Sequence, residues 1–141
     1  MAVITLGLYF MILFYASVYD RKYMIVENRV HFVLFLLTIL SGNMNLEKLL
    51  GAVVITIPLM LLTLYKDGIG GGDIKYLFFN TLFLGFSAAY TGIVAGLSVA
   101  VLYALFTKNR SGKSKYQRKI PLVPFLSTGF LLSILLRATV T

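Results

Sequence analysis

Tyr76-Leu77-Phe78-Phe79-Asn80-Thr81-Leu82-Phe83-Leu84-Gly85-Phe86-Ser87-Ala88-Ala89-Tyr90-Thr91-Gly92 opens an uncharged run that continues through residue 107, and its reading decides the fold. As one helix, residues 76–107 would be about 48 Å long at about 1.5 Å per residue, against a bilayer hydrocarbon core of about 30 Å. The run is therefore predicted to fold back once, with Gly85, Ser87, Thr91 and Gly92 marking the turn and two short helices on either side. Outward from it lie four further uncharged runs, at residues 2–19, 30–46, 49–65 and 120–136, each about one membrane helix. Six spans result.

The basic residues test that count. The connection at residues 21–29 carries three Lys/Arg, that at 66–75 two and that at 108–119 six, so 11 of the 13 basic residues fall in alternate loops. Six spans put all three loops on one side of the membrane and leave only Lys48 and Arg137 on the other. Five would split them. The positive-inside bias then makes the basic side cytoplasmic and places both termini outside.

Composition agrees. Of 141 residues 59% are hydrophobic and 13% charged, about half of the soluble-domain norm of about 25% charged. The chain reads as a single all-α polytopic membrane domain over residues 1–141, with a retained first span rather than a cleaved signal peptide. The absence of cysteine excludes disulfides, thiolate metal sites and a cysteine nucleophile, and one histidine, His31, cannot build an imidazole cluster. The net charge of +8 is explained by topology and by contact with anionic membrane lipids, so nucleic acid is not expected as a partner. No metal or other cofactor is expected.

The five carboxylates are Asp20, Glu27, Glu47, Asp67 and Asp73, and four of them lie in the first two basic loops. Asp20 ends the first apolar run, and Asp73 occupies the corresponding depth before the fourth. Two aspartates brought together at a wet membrane boundary share one proton, because like charges a few ångströms apart raise one pKa. One then acts as base toward a water attacking a peptide carbonyl, and the other as acid toward the oxyanion and the leaving amine. Gly70, Gly71 and Gly72 directly precede Asp73; lacking Cβ atoms they permit positive φ and close approach of a substrate strand. On these residues alone, a flexible turn with a solvated aspartate explains the pattern equally well.

Gly70-Gly71-Gly72-Asp73-Ile74-Lys75 resembles the GxGDxK signature of type IV prepilin peptidases and the related archaeal preflagellin peptidases. Asp20-Arg21-Lys22 through Val26-Glu27-Asn28 is similar to the family's first-aspartate segment, with Glu27 where the family often has proline. Lys119-Ile120-Pro121-Leu122-Val123-Pro124-Phe125-Leu126 resembles its late proline-containing segment. The resemblance implies about six helices enclosing a cytoplasm-facing pair, Asp20 and Asp73, in an aspartyl endopeptidase. Such an enzyme removes short basic leaders from pilin-like or flagellin-like precursors. It also implies substrate-binding or site-shaping roles for Gly70, Gly71, Gly72, Lys75, Asn28, Pro121 and Pro124. Bifunctional members carry a cysteine-rich segment and methylate the product; without cysteine, cleavage without methyl transfer is expected here.

Other classes remain open from sequence: a small channel or transporter in which the aspartates bind protons or cations, or an inert assembly scaffold. Several residues also have simpler readings. Lys75 anchors to the membrane surface, Asn28 caps the second helix, Pro121 and Pro124 fit the first turn of the last, and Asp67 is a solvated loop charge. His31 and most of the nine tyrosines read as interfacial residues.

Overall fold

The computed structural model describes residues 3–42, 44–65, 70–110 and 120–140. Among them are six helices and no strand: α1 (Val3–Tyr23), α2 (Asn28–Leu40), α3 (Leu46–Tyr65), α4 (Gly71–Leu84), α5 (Phe86–Arg110) and α6 (Val123–Val140).

The long apolar run does fold back, and it does so at one residue. Gly85 takes φ 89° and ψ 161°, a conformation essentially restricted to glycine. Its N–H closes α4 on the Thr81 carbonyl (2.8 Å), while its own carbonyl accepts from Ala89 N–H in the first turn of α5 (3.0 Å). Lys48 reaches the turn from α3 and donates from Nζ to the Phe83 carbonyl (3.2 Å), satisfying one of the carbonyls exposed where α4 ends. Ser87, Thr91 and Gly92, expected in the turn, instead lie within α5. The two halves are also unequal, because the turn comes early: α4 has 14 residues and α5 has 25.

Three helices, α1, α3 and residues 86–107 of α5, are long and apolar enough to cross a membrane. Two of the other three, α2 and α4, are shorter for identifiable reasons. Gly42 adopts φ 64° and donates to the Ile39 carbonyl (3.0 Å), while Ser41 N–H bonds Leu37 (2.9 Å), so α2 stops short of the expected residue 46. Helix α4 is short but central: Tyr76, Leu77 and Asn80 through Leu84 are all buried, the pattern of a helix surrounded by protein.

Contacts along the helices fix their directions. Helix α6 runs antiparallel to α1, with Ser127 meeting Ser17 and Val123 meeting Asp20. It is also antiparallel to α5, where Gly92 faces Phe130 and Gly96 faces Phe125. The α5–α6 seam is built on small residues: Gly92 and Gly96 on one helix and Gly129 on the other let the two backbones touch. The turn region of α1–α2 and the ends facing the α3–α4 and α5–α6 connections consequently share one end of the bundle. The described basic residues Arg21, Lys22, Arg29 and Lys75 belong to that end, whereas Lys48 lies at the other.

The core joins α1, α2, α4, α5 and α6 around Tyr9, Leu13, Leu34, Tyr76, Phe83, Leu126 and Phe130. It contains a polar chain that the sequence does not announce. Tyr9 Oη donates to Asn80 Oδ1 (2.7 Å), Asn80 Nδ2 donates to the Tyr76 carbonyl (2.8 Å), and Tyr76 Oη pairs with Ser127 Oγ (2.8 Å). Ser17 Oγ closes the chain on Ser127 Oγ (2.9 Å). Tyr9 and Tyr76 are 0% exposed, so these two are not interfacial anchors. Tyr9 belongs to the i, i+4, i+7 stripe of Leu13 and Ala16 that α1 turns inward.

Candidate active site

Asp20 lies on the same inward stripe of α1, one turn before its end, and is 4% exposed. Its Oδ2 accepts from the backbone N–H of Val123 (3.1 Å), the first residue of α6. A helix N-terminus presents N–H groups with no intrahelical partner and carries partial positive charge. Asp20 thus caps α6 from another helix. Pro124, in that first turn, contributes no N–H, and Pro121 lies just ahead of the helix rather than inside its first turn.

Asp73 is the third residue of α4, ahead of the apolar run that begins at Tyr76. Its carboxylate folds back to accept from the N–H of Gly70, the cap residue, as the third position of a capping box does. A Cβ on Gly70 would stand 3.3 Å from Asp73 Oδ2, so a side chain there would press the carboxylate to shift by a few tenths of an ångström. Gly70 itself lies at φ −65° and ψ 138°. Gly71 and Gly72 are helical, and the positive φ expected for this run is absent. A Cβ on Gly71 would meet nothing among the described residues, and Gly71 is exposed, whereas Gly72 lies against Val26 of the α1–α2 connection (3.5 Å from a built Cβ to Val26 Cβ).

Burial pushes the Asp73 carboxyl up to about 6, and the charge of Asp20 pushes in the same direction, against the Gly70 N–H. The two aspartates, 53 positions apart in sequence, both belong to the basic end of the bundle, Asp20 near the end of α1 and Asp73 at the start of α4.

His31 was expected at an interface and is instead 5% exposed. Its Nε2 lies 3.2 Å from the Gly72 carbonyl; a carbonyl only accepts, so Nε2 carries the proton and ties α2 to the first turn of α4 beside Asp73. The cap of α2 is Glu27, not Asn28, and its side chain makes no capping bond. Asn28 and Lys75, both exposed, line a cavity of about 480 Å³ between α2, α3 and α4 together with Thr56, Met60 and Phe79. Asp67, the rival carboxylate, and the basic loop at residues 111–119 lie outside the described residues.

Apolar helices long enough to span a bilayer, packed around a buried polar chain with acidic groups at one basic end, define a helical membrane protein. The model of the type IV leader peptidase family matches residues 7–107, and the chain belongs to that family. It is a protease of the membrane. The match includes Asp20, the glycine run and Asp73, and ends before Pro121 and Pro124. No curated protein and no solved structure matches the chain.

Proposed function

We propose that this protease is an aspartyl endopeptidase. Asp20 and Asp73 form its dyad, and it removes a basic leader from prepilin-like or preflagellin-like precursors at the cytoplasmic membrane face. The observation that carries the proposal is that the leader-peptidase family match covers both Asp20 and the run at residues 70–73, which the helices bring to the same, basic end of the bundle. A pair of carboxyls that resists double ionisation holds one shared proton. The ionised member draws a proton from the attacking water, and the protonated member supports the oxyanion and then the departing amine. No covalent intermediate and no metal is required by this sequence of steps.

The remaining residues have supporting roles. Val123 N–H and Gly70 N–H orient the two carboxylates. The open backbone at Gly71 offers room for the scissile strand, and Lys75, Asn28, Pro121 and Pro124 shape the approaches to it. On this reading the chain crosses the membrane six times, and the positive-inside bias then assigns this end to the cytoplasm and both termini to the outside. Cleavage proceeds without methyl transfer.

The test is cleavage of a pilin-like precursor by detergent-solubilised protein with chelator present, product identified by its new N-terminus. Wild type is expected to cleave and Asp73→Asn to fail while still folded. Sensitivity to chelator, or cleavage by the variant, would defeat the proposal. Product bearing an N-methyl group formed by this protein alone from S-adenosylmethionine would overturn the statement on methyl transfer.

A further inference from the structure

Glu27 is an unexpected residue at the start of a helix. Caps are favoured as Asn, Asp, Ser or Thr because their short side chains reach back to the helix N–H groups. The Glu27 side chain makes no such bond. It extends the other way, to α1, where Tyr15 Oη donates to its Oε2 (2.9 Å). Helix stability does not account for this choice.

The tyrosines form a ladder on one face of α1. Tyr15 and Tyr19 have ring centroids 6.0 Å apart, and Tyr19 and Tyr23 4.6 Å apart. One cation already uses it, since Lys22 Nζ stands 5.1 Å from the centroid of the Tyr23 ring. The Tyr15 hydroxyl holds the Glu27 carboxyl below its ordinary range. A carboxylate has about four acceptor positions, and one hydroxyl leaves the others free for a donor. An ionised carboxylate beside exposed aromatic faces is a receptor for a lysine or arginine side chain. Arg29 is its one basic electrostatic neighbour, and Arg21 and Lys22 precede it in the chain, so Glu27 is a single acidic position at a basic end rather than a broad acidic face.

Its place relative to the glycine run completes the argument. Val26, the preceding residue, is the side chain that lies against Gly72, one residue before Asp73. Glu27 is thus the chain neighbour of the residue that packs on the glycine run ahead of Asp73.

We propose that Glu27, held by Tyr15 beside the tyrosine ladder, receives one basic side chain of the leader and sets the register in which the precursor enters the site. This rests on the leader-peptidase reading above. The experiment uses full-length protein and a set of precursors in which each leader Lys or Arg is changed singly to Glu. Glu27→Lys is expected to lower kcat/KM on the unmodified precursor about tenfold, mainly through KM, as loss of one charge-assisted contact does. One precursor of the set, and only one, should recover most of that loss. Glu27→Gln should show an intermediate loss, and Tyr15→Phe a smaller one. An unchanged kcat/KM for Glu27→Lys, or an equal loss on every precursor, overturns the assignment. A second arm does not need turnover: binding of a fluorescent synthetic leader peptide to the Asp73→Asn protein, followed by anisotropy. Adding Glu27→Lys should weaken it about tenfold, and equal binding overturns the assignment even if no precursor is cleaved. Failure of wild type to cleave, with Glu27-dependent peptide binding intact, would count against the protease reading alone.

Discussion

Adding a single methyl group at Gly129 should separate the two helices that hold the far side of the site. A Cβ there would fall inside the contact distance of the Gly92 carbonyl oxygen and stand 2.7 Å from Gly96 N and 2.9 Å from Gly96 Cα. Carbon atoms in ordinary contact lie about 3.5–4.0 Å apart, so α5 and α6 must move apart by roughly 1 Å. Every obstructing atom is backbone, and no rotamer change relieves the overlap. Overpacking of this kind costs about 1–3 kcal/mol, and the upper end applies where nothing yields; the better helix propensity of alanine returns about 1 kcal/mol. A net loss of about 2 kcal/mol should lower Tm by about 4–8 °C on the scaling for domains of this size. The assay is thermal loss of helical circular dichroism in detergent, with Gly7→Ala as control, because a Cβ at Gly7 meets nothing within 4 Å. Gly7→Ala should melt at or above wild type. The shift should also reach the site, since α6 carries the Val123 N–H that Asp20 accepts, and cleavage should fall further than folded protein does. If Gly129→Ala melts with Gly7→Ala, the close seam is wrong.

Other outcomes follow from the same contacts. Tyr9→Phe keeps its stack on Phe83 (4.4 Å) but leaves buried Asn80 Oδ1 without its donor, which should cost about 1–3 kcal/mol in the same melt. Gly70→Ala should lower kcat about tenfold, because the new methyl crowds Asp73 Oδ2 at 3.3 Å and small misplacements are expensive in a catalytic group; Gly71→Ala, whose Cβ meets nothing, should fold normally and lose less. Asp73 is pushed up to about 6, and a dyad that needs one shared proton loses it as pH rises. The kcat/KM profile should therefore fall on the alkaline side with an inflection near 6, and a profile flat from pH 5 to about 8 would remove Asp73 from the proton-sharing role.

Sequence and structure agree where long-range order follows from counting. The excess length of residues 76–107 and the alternation of basic loops suffice to call for a fold-back, and Gly85 supplies it. Placement of Asp20 and Asp73 at the ends of apolar runs likewise follows from where charge stops. The polar chain of Tyr9, Asn80, Tyr76 and Ser127 was not legible, because a tyrosine is equally at home at a membrane interface and in a core where its hydroxyl has a partner. The signal was Asn80, an amide inside an apolar run, which must find hydrogen bonds within the protein. His31 was missed for the same reason: its partner, the Gly72 carbonyl, is 41 positions away. The family's usual proline in place of Glu27 gave no hint that its carboxylate would turn to α1 rather than cap α2.

The central claim is that Asp20 and Asp73 act as one unit, and a double-mutant comparison of precursor cleavage tests it most directly. Asp20→Asn, Asp73→Asn, the double variant and Asp67→Asn are assayed after each is shown to fold. The account predicts that each of the first two loses about 10³-fold or more, that the double variant is little worse than either, and that Asp67→Asn stays near wild type. Near-wild-type cleavage by either single variant, independent and additive losses, or inactivation by Asp67→Asn would contradict it.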